Sequence, residues 1–183
     1  MRVLVTGGAA SGKSAYAERL ACKLSPTRVY LATMDSHGAE AQRRIVQHRA
    51  QRAGLGFVTV ECAGPSLTAA VGMGANGAPR PGVVLLEDLG NLVANALFGP
   101  NGEEGDPQRT VARLEREVLA LAHGFEHVVA VGNEVGCEGA SPFEGTREWV
   151  RAMGALGCRL AARFDAVVEV SSGVACVLKG ELP

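Results

Sequence analysis

The sequence predicts an α/β domain in which a mostly parallel sheet is covered by helices on both faces. Short apolar runs alternate with longer amphipathic segments along the whole chain. Several of these runs are apolar throughout rather than at alternate positions, which is typical of parallel strands buried on both faces and joined by right-handed crossovers. A chain of 183 residues suffices for one well-packed domain, so we predict a single domain over residues 1–183.

Each predicted element follows from its local pattern. The predicted strands are short runs rich in β-branched residues, and the predicted helices repeat apolar residues every three or four positions. Two glycine-rich stretches, Gly72–Gly82 and Gly99–Asp106, are predicted loops, and Pro107 marks a helix start. In chain order, the predicted strands are Arg2–Thr6, Arg28–Thr33, Phe57–Glu61, Val83–Glu87, His127–Gly132, Ala166–Ser171 and Ala175–Leu178, and the predicted helices are Lys13–Leu24, Glu40–Ala53, Leu67–Val71, Leu89–Leu97, Pro107–Ala122 and Thr146–Arg163.

Composition argues against several classes of function. The net charge is −1 and the basic residues are scattered, so no basic stripe indicates a nucleic-acid partner. The apolar run near the N-terminus is too short for a signal peptide, and no stretch is apolar enough for membrane insertion. The 5 cysteines form no Cys-x-x-Cys pair. We therefore expect reduced thiols in a soluble, cytoplasmic protein.

The most informative motif is Gly7-Gly8-Ala9-Ala10-Ser11-Gly12-Lys13-Ser14, between the first predicted strand and the first predicted helix. It fits the phosphate-loop pattern, in which backbone N–H groups and a helix N-terminus surround phosphate oxygens. Lys13 can reach the β- and γ-phosphates, and the Ser14 hydroxyl can bind Mg²⁺. The alternative is a glycine-rich turn that binds nothing. The complete motif in this context favours binding of a nucleoside triphosphate.

Two carboxylates end the predicted strand Val83–Glu87. An acidic residue at the carboxyl end of such a strand holds Mg²⁺ in phosphate-loop proteins, directly or through water. Asp88 precedes a predicted helix and is also a good N-cap residue. We assign Glu87 to the metal and Asp88 to the cap or to a supporting contact.

A basic face carries the next candidate. Arg44, His48 and Arg52 are four residues apart within a predicted helix, so they share one face. Either this face is simply solvated, or the arginines gather phosphates around an imidazole. In the second case the same charges keep the imidazole neutral, as a nucleophile must be. Spacing alone leaves both interpretations open.

A further polar segment, Asn133-Glu134-Val135-Gly136, follows another apolar strand. Polar residues at the carboxyl edge of a parallel sheet are where α/β proteins place ligand contacts. By itself this signal is weak, because a turn with an asparagine and glycines is common.

Together these segments resemble the bifunctional adenosylcobinamide kinase / adenosylcobinamide-phosphate guanylyltransferase family of cobalamin biosynthesis. The combination of Ala32-Thr33, Arg44-Ile45 with His48, and Asn133–Gly136 is far more specific than the phosphate loop alone. The resemblance extends in order along nearly the whole chain. The other matching segments are Val5–Ala9, Tyr30-Leu31, Glu40, Arg52, Leu85–Glu87, Asn95–Leu97, Arg147, Gly154, Arg159–Ala162 and Ser172-Gly173.

The resemblance implies a RecA-like P-loop NTPase fold, commonly a homotrimer, that works in two steps with Mg²⁺. ATP or GTP first phosphorylates the aminopropanol hydroxyl of adenosylcobinamide. GMP is then transferred from GTP to that phosphate through a guanylylated histidine, which at the matching place is His48. Glu61 either contacts the nucleotide or only ends a strand. The implied nucleotide site contains Gly7–Ser14, Ala32, Thr33, Met34, Arg49, Arg52, Glu61 and Glu87, with Lys13 and His48 catalytic and Ser14 and Glu87 at the metal.

This sequence also departs from the family pattern. Gln47-His48 stands where family members often carry two adjacent histidines. Trp149-Val150-Arg151 and Gly157-Cys158 stand where the family tends to have Phe-Arg-Asp and an Asn-Gln pair. Two alternatives therefore stay open: a single-activity or retargeted P-loop kinase of small molecules, and a nucleotide-binding paralogue without turnover.

Overall fold

The computed structural model describes residues 1–34, 46, 52–62, 64, 66–72, 80–99, 106–134 and 144–183. Within these residues, strands and helices alternate as the sequence predicts. The strands are β1 (Arg2–Thr6), β2 (Arg28–Ala32), β3 (Phe57–Glu61), β4 (Arg80–Glu87), β5 (Phe125–Val131), β6 (Ala166–Ser171) and β7 (Val174–Lys179). The helices are α1 (Lys13–Leu24), α2 (Leu67–Ala70), α3 (Leu89–Phe98), α4 (Pro107–His123) and α5 (Glu144–Arg163).

The strands form one sheet of seven in the order β3-β2-β4-β5-β1-β6-β7. Pairing is parallel from β3 to β6, and only β7, among the described strands, runs antiparallel to its neighbour. The carboxyl ends of β1, β2, β4 and β5 therefore meet at one edge. The phosphate loop and Asn133 follow strands that end at this edge, and Glu87 is the last residue of β4.

Two hydrophobic cores lie on opposite faces of the sheet, because successive residues of a strand point to opposite sides. In β4, Val83 and Leu85 pack with Ala17 and Leu20 of α1. The intervening Val84 and Leu86 belong to the other core. That second core holds the buried residues of the later helices, among them Leu92, Val93, Leu114, Val118, Leu121, Leu156 and Leu160.

The structure corrects the predicted boundary of β4. The predicted loop Gly72–Gly82 includes Arg80–Gly82, which belong to β4. Gly82 (φ 111°) lies where the register between β4 and β5 shifts, so an irregular strand pairing accommodates the glycine and proline that predicted a loop. Residues 73–79 of this predicted loop lie outside the described residues.

Smaller corrections concern element ends. Thr33 lies beyond the end of β2, and Gly132 lies beyond the end of β5, which begins two residues earlier than predicted, at Phe125. Of the predicted helix Glu40–Ala53, Arg52 and Ala53 form part of a turn, while all its other residues except Val46 lie outside the described part of the chain. His48 is among those.

Candidate active site

The phosphate loop leaves β1 and enters α1 in a shape that requires glycine. Gly7 has φ 154°, and a Cβ there would collide with the Val170 carbonyl oxygen. Gly12 has φ 89° at the N-cap of α1, a left-handed conformation that side chains disfavour. The loop is thus placed at a helix N-terminus, where N–H groups and the helix dipole favour an anion.

Two other segments hold the loop from outside. The Glu134 N–H donates to the Gly7 carbonyl at 3.0 Å, and the Gly173 N–H donates to the Ser11 carbonyl at 2.8 Å. The first comes from the segment after β5, the second from the turn between β6 and β7. From the sequence, Asn133–Gly136 was a weak candidate for ligand contacts, and Ser172-Gly173 was part of the resemblance only. The structure shows that Glu134 and Gly173 border the loop.

Lys13 is 8% exposed, and its Nζ donates to the Gly8 carbonyl at 3.0 Å. The ammonium group therefore folds back over the loop that it belongs to. A bound triphosphate can replace this single carbonyl with several phosphate oxygens, which are stronger acceptors for a cation. This is the geometry that a phosphate-binding lysine needs.

Ser14 of α1 and Glu87 of β4 contact each other at the carboxyl edge of the sheet. The Ser14 hydroxyl donates to Glu87 Oε1 at 2.6 Å, while Glu87 Oε2 is buried without a hydrogen-bond partner among the described residues. Burial raises the pKa of the Glu87 carboxyl to about 7, and the nearby Asp88 adds to the effect, while the Ser14 hydrogen bond and Lys13 oppose it. Near neutral pH this carboxyl can take either charge state.

This oxygen pair fits Mg²⁺. A hydroxyl and a carboxylate are hard oxygen ligands, and Mg²⁺ usually takes only one or two protein groups, with waters and phosphates completing its shell. The enclosed Glu87 Oε2 would gain a partner if a cation bound there. Within the described residues, no group of three or more His, Cys, Asp or Glu side chains could hold a metal by itself.

Asp88 caps α3, which is one of the two roles predicted for it. Its Oδ1 accepts a hydrogen bond from the Asn91 N–H at 2.7 Å. The peptide bond between Glu87 and Asp88 is cis. Of these two carboxylates, Glu87 is the one that accepts the Ser14 hydrogen bond.

Thr33, which directly follows β2, is hydrogen-bonded to the backbone of Glu87 and Asp88. Its N–H donates to the Glu87 carbonyl at 2.9 Å, and its hydroxyl donates to the Asp88 carbonyl at 2.7 Å. The same hydroxyl oxygen accepts from the Asp88 N–H at 2.8 Å. Asn95 donates to the Thr33 carbonyl at 2.8 Å. Because Thr33 is fully buried and its hydroxyl is engaged in this way, its side chain supports Glu87 and Asp88 in this structure.

The remaining residues predicted to bind the nucleotide lie at different distances from the phosphate loop along the sheet, and some lie outside the described residues. Ala32 pairs with Glu87 in the sheet, and Met34 is half-buried two residues further along the chain. Glu61 is exposed at the end of β3. Arg49 and His48 lie outside the described residues.

Arg52 is buried rather than exposed. Its guanidinium carbon lies 3.4 Å from the centroid of the Tyr30 ring, and its Nη1 lies 4.0 Å from Glu18 Oε1. From the sequence, Tyr30 was only part of the resemblance and Glu18 was not singled out, because neither lies in a charge pattern that predicts a contact with Arg52. Tyr30 lies on the same face of the sheet as Glu87, two residues further from the edge.

A second polar cluster lies beside Asp88 on the other face. Trp149 Nε1 donates to the Gly90 carbonyl at 3.0 Å. A Cβ at Gly90 would lie 2.6 Å from Asn133 Nδ2 and 3.1 Å from Asp88 Oδ1. Asn133 of the predicted polar segment thus lies close to the cap of α3.

The sequence matches the family model of cobinamide kinase / cobinamide phosphate guanyltransferase over residues 3–178. The chain belongs to this family. Its members are transferases that carry a kinase and a guanylyltransferase activity. The family expected from the sequence is thereby confirmed.

Two relatives extend over essentially the whole chain. A bifunctional adenosylcobalamin biosynthesis protein CobP from Pseudomonas aeruginosa is 33% identical over 181 residues, covering 99% of this chain and 99% of that protein. A bifunctional adenosylcobalamin biosynthesis protein CobU from Salmonella typhimurium is 34% identical over 187 residues, covering 98% of this chain and 100% of that protein.

The fold class is confirmed as well. A Pyrococcus horikoshii OT3 structure, project PH0250, superposes with a TM-score of 0.53 at 11% identity, covering 98% of this chain and 86% of that chain. Together with the mostly parallel sheet and its phosphate loop, this agrees with the predicted RecA-like P-loop NTPase fold. None of the helices in the described ranges is long and apolar enough to cross a membrane.

Proposed function

We propose that this protein phosphorylates adenosylcobinamide with ATP or GTP and then transfers GMP from GTP to the resulting phosphate. The observation that carries the proposal is the family membership combined with an intact phosphate loop facing Glu87. Lys13, Ser14 and Glu87 serve both steps in this proposal, and His48 serves the second. ATP, GTP and the two corrinoids are the small-molecule partners.

In the first step the substrate hydroxyl oxygen attacks the γ-phosphorus. A new P–O bond forms, the bond to the β-phosphate oxygen breaks, and the hydroxyl proton passes to solvent. The loop N–H groups and Lys13 hold the phosphate oxygens in line and offset their charge. Mg²⁺ bound through Ser14 and Glu87 would supply further neutralisation of the triphosphate.

In the second step a neutral nitrogen of His48 attacks the α-phosphorus of GTP. The P–N bond forms and the bond to the β-phosphate oxygen breaks, so pyrophosphate leaves. A phosphate oxygen of the corrinoid then attacks the same phosphorus and releases the histidine. Without the covalent intermediate, two anions would have to react in a single displacement. The intermediate replaces that displacement with two easier displacements.

Labelling with GTP tests the proposal. Protein incubated with Mg²⁺ and GTP labelled at the α-phosphate should retain acid-labile, base-stable label, because a phosphoramidate has that stability. His48→Ala should abolish the label. GTP labelled at the γ-phosphate should leave none.

A matched control is His123→Ala, which removes an exposed histidine at the end of α4. It should label like the unaltered protein. Full labelling of His48→Ala would show that another residue is the nucleophile. If nucleotide binds but neither activity appears with any corrinoid, the protein is a binding paralogue.

The alternative that the protein has only one of the two activities rests on the residues of α5 that depart from the family pattern. Arg151 and Cys158 are exposed, while Trp149 is anchored to the Gly90 carbonyl. Phosphorylation of adenosylcobinamide without any protein labelling would favour the kinase-only alternative.

We further propose that the protein assembles as a homotrimer in the cytoplasm. Every residue of β7 is exposed, with Val174, Val177 and Leu178 exposed by 71%, 47% and 57%. An exposed apolar strand at a sheet edge offers a surface on which another chain can pack. The described cysteines Cys22, Cys62, Cys158 and Cys176 are free thiols, which suits a reducing compartment.

Sedimentation measurements test the assembly. The unaltered protein should sediment as three chains of 18.9 kDa each. Leu178→Glu should shift the protein towards monomer, whereas Val58→Glu, at an exposed valine on the opposite edge strand, should leave the mass unchanged. A monomeric unaltered protein, or equal effects of both variants, would contradict the proposed surface.

A further inference from the structure

The turn between β6 and β7 lies against the phosphate loop. Ser171 pairs with Val174, so the turn consists of Ser172 and Gly173 alone. Their φ angles are 50° and 80°, and positive φ at both central residues is typical of the tight turns that close two-residue hairpins. The N–H groups of such central residues are not used in the strand pairing. The Gly173 N–H donates instead to the Ser11 carbonyl of the phosphate loop, at 2.8 Å.

The backbones of the hairpin and of the loop approach each other closely. A Cβ at Gly12 would lie 3.3 Å from the Gly173 Cα, and a Cβ at Gly7 would collide with the Val170 carbonyl oxygen. β6 pairs in parallel with β1, so its carboxyl end and the loop lie at the same edge of the sheet. The β6–β7 hairpin therefore packs against the loop near Gly7 as well as near Gly12.

The hydrogen bond to Gly173 fixes the direction of one peptide group in the loop. In a planar trans peptide, the N–H of a residue points away from the carbonyl of the residue before it. Because the Ser11 carbonyl is turned outward to Gly173, the Gly12 N–H points to the opposite side, away from the hairpin. N–H groups that point into such a loop attract an anion, whereas a carbonyl oxygen in their place would repel phosphate. The bond thus keeps a donor on the phosphate side of this peptide group.

The other end of the hairpin is anchored to α5. Lys179, the last residue of β7, donates from Nζ to the carbonyls of Ala161, Ala162 and Phe164 at 2.8, 3.3 and 2.6 Å. A cation is favoured at a helix C-terminus, where carbonyl groups lack partners within the helix. Together with the pairing to β6, this anchor holds the turn in place before any nucleotide binds.

We propose that the Ser172-Gly173 turn positions the phosphate loop, with Gly173 as the positioning residue that holds the Ser11–Gly12 peptide group in its anion-binding orientation. A loop that already has this orientation loses less conformational freedom when a triphosphate binds. The inference rests on the proposed binding of ATP and GTP at this loop. It applies to both steps, since both use the loop.

Gly173→Ala tests this role. A Cβ at Gly173 meets nothing within 4 Å, so the substitution acts through the disfavoured φ of 80° rather than by crowding the loop. The dissociation constant for ATP with Mg²⁺, measured by titration calorimetry without corrinoid, should rise about tenfold. Gly173→Asn should raise it by no more than about threefold, because asparagine adopts left-handed conformations more readily than alanine does.

Gly99→Ala is the matched control. Gly99, at the C-cap of α3, also has a positive φ, of 30°, and a Cβ there meets nothing within 4 Å. Like Gly173→Ala, the substitution should lower the melting temperature. The dissociation constant for ATP should nevertheless stay within about twofold, because Gly99 lies at the end of α3 that is remote from the carboxyl edge.

The kinetics of phosphorylation and an inorganic ligand provide two further measurements. In Gly173→Ala the KM for ATP should rise about tenfold while kcat stays within about threefold, since the loop holds the phosphates in the ground state and the transition state alike. Inorganic tripolyphosphate, which lacks the nucleoside, should lose affinity by the same factor as ATP.

Substitutions at Ser172 provide the same test if Gly173→Ala does not fold. Ser172→Val places a β-branched side chain at a φ of 50°, which such residues disfavour, and should weaken ATP binding about tenfold. Ser172→Gly removes the hydroxyl but allows the same φ, so it should bind ATP like the unaltered protein.

Three outcomes would overturn the inference. Unchanged ATP binding in Gly173→Ala means that the loop keeps its shape without the turn. Equal weakening in Gly99→Ala means that the effect is general instability. Weaker ATP binding with unchanged tripolyphosphate affinity, or weaker binding in Ser172→Gly, means that the turn contacts the nucleoside directly. Absence of ATP and GTP binding in the unaltered protein is a different result, since it contradicts the proposed function itself.

Discussion

The phosphate loop and the neighbouring carboxylate edge, formed by Thr33, Glu87 and Asp88, are built in different ways. The loop consists of eight consecutive residues, which hydrogen bonds from Glu134 and Gly173 support from outside, and its lysine bonds to a carbonyl only five residues away. The carboxylate edge depends on hydrogen bonds between residues 54 to 73 positions apart. We therefore expect changes in the loop lysine to act on chemistry, and changes in the carboxylate edge to act first on stability and its pH dependence.

The strongest test of the loop is Lys13→Ala. Loss of the ammonium removes the charge that offsets the triphosphate, so kcat/KM for corrinoid phosphorylation should fall by about 10²- to 10³-fold. Protein labelling by GTP should fall with it, while the melting temperature changes little. Lys23→Ala, at an exposed lysine of the same helix, is the control and should retain full activity. More than a tenth of the activity remaining in Lys13→Ala would show that the loop amides suffice.

A second test separates the loop's shape from its chemistry. A Cβ at Gly7 would collide with the Val170 carbonyl and lie 2.7 Å from Ser11 Oγ, whereas a Cβ at Gly8 meets nothing within 4 Å. Gly7→Ala should therefore lower the free energy of unfolding by about 3 kcal/mol, from overpacking and a disfavoured φ. Gly8→Ala should change it by no more than about 0.5 kcal/mol.

Denaturant unfolding without nucleotide measures both variants. Similar midpoints for Gly7→Ala and Gly8→Ala would mean that the loop moves away from Val170 at little cost. The loop would then be less rigid than its hydrogen bonds to Glu134 and Gly173 indicate.

The carboxylate edge should respond to pH. Folding raises the pKa of Glu87 from 4.5 to about 7, so the folded state binds this proton more tightly than the unfolded state does. The associated stability is complete below pH 4.5 and is lost as the pH rises through 7. At 1.36 kcal/mol per pH unit, the loss amounts to about 3 kcal/mol.

Glu87→Gln imitates the protonated carboxyl at every pH. Without Mg²⁺ or nucleotide, the variant should be about 3 kcal/mol more stable than the unaltered protein at pH 8.5, and the difference should vanish near pH 4.5. Melting curves across this range measure it, with the exposed Glu181→Gln as a control that should show no such trend. Equal stability at pH 8.5 would show that the carboxyl is better solvated than its enclosed Oε2 indicates.

The sequence was sufficient for features that arise from neighbouring residues. Apolar runs predicted all seven strands of the part of the chain that the structure describes, and local motifs predicted the phosphate loop and the Asp88 cap. The antiparallel, exposed setting of β7 was not predictable, because a short apolar run looks the same whether buried or exposed. The hydrogen bonds among Thr33, Asp88 and Asn95 join residues that are distant in sequence, so no local pattern predicts them.

Thr33 provides the smallest but most specific test of the carboxylate edge. Thr33→Val keeps the shape of the side chain and removes the hydroxyl, which leaves the Asp88 N–H and carbonyl without that partner. Because Thr33 is fully buried, the cost should be about 2 kcal/mol in unfolding free energy. Thr33→Ser keeps the hydroxyl and loses only a methyl group, at a cost of about 1 kcal/mol.

The Mg²⁺ requirement distinguishes support of Glu87 from general packing. If the hydroxyl holds the strand end that carries Glu87, Thr33→Val should need several-fold more Mg²⁺ for half-maximal phosphorylation, and Thr33→Ser should not. A purely structural role would lower the stability of both variants and leave the Mg²⁺ requirement unchanged. A raised requirement confined to Thr33→Val would therefore show that hydrogen bonds spanning 55 positions set the geometry that the phosphate loop meets at Ser14.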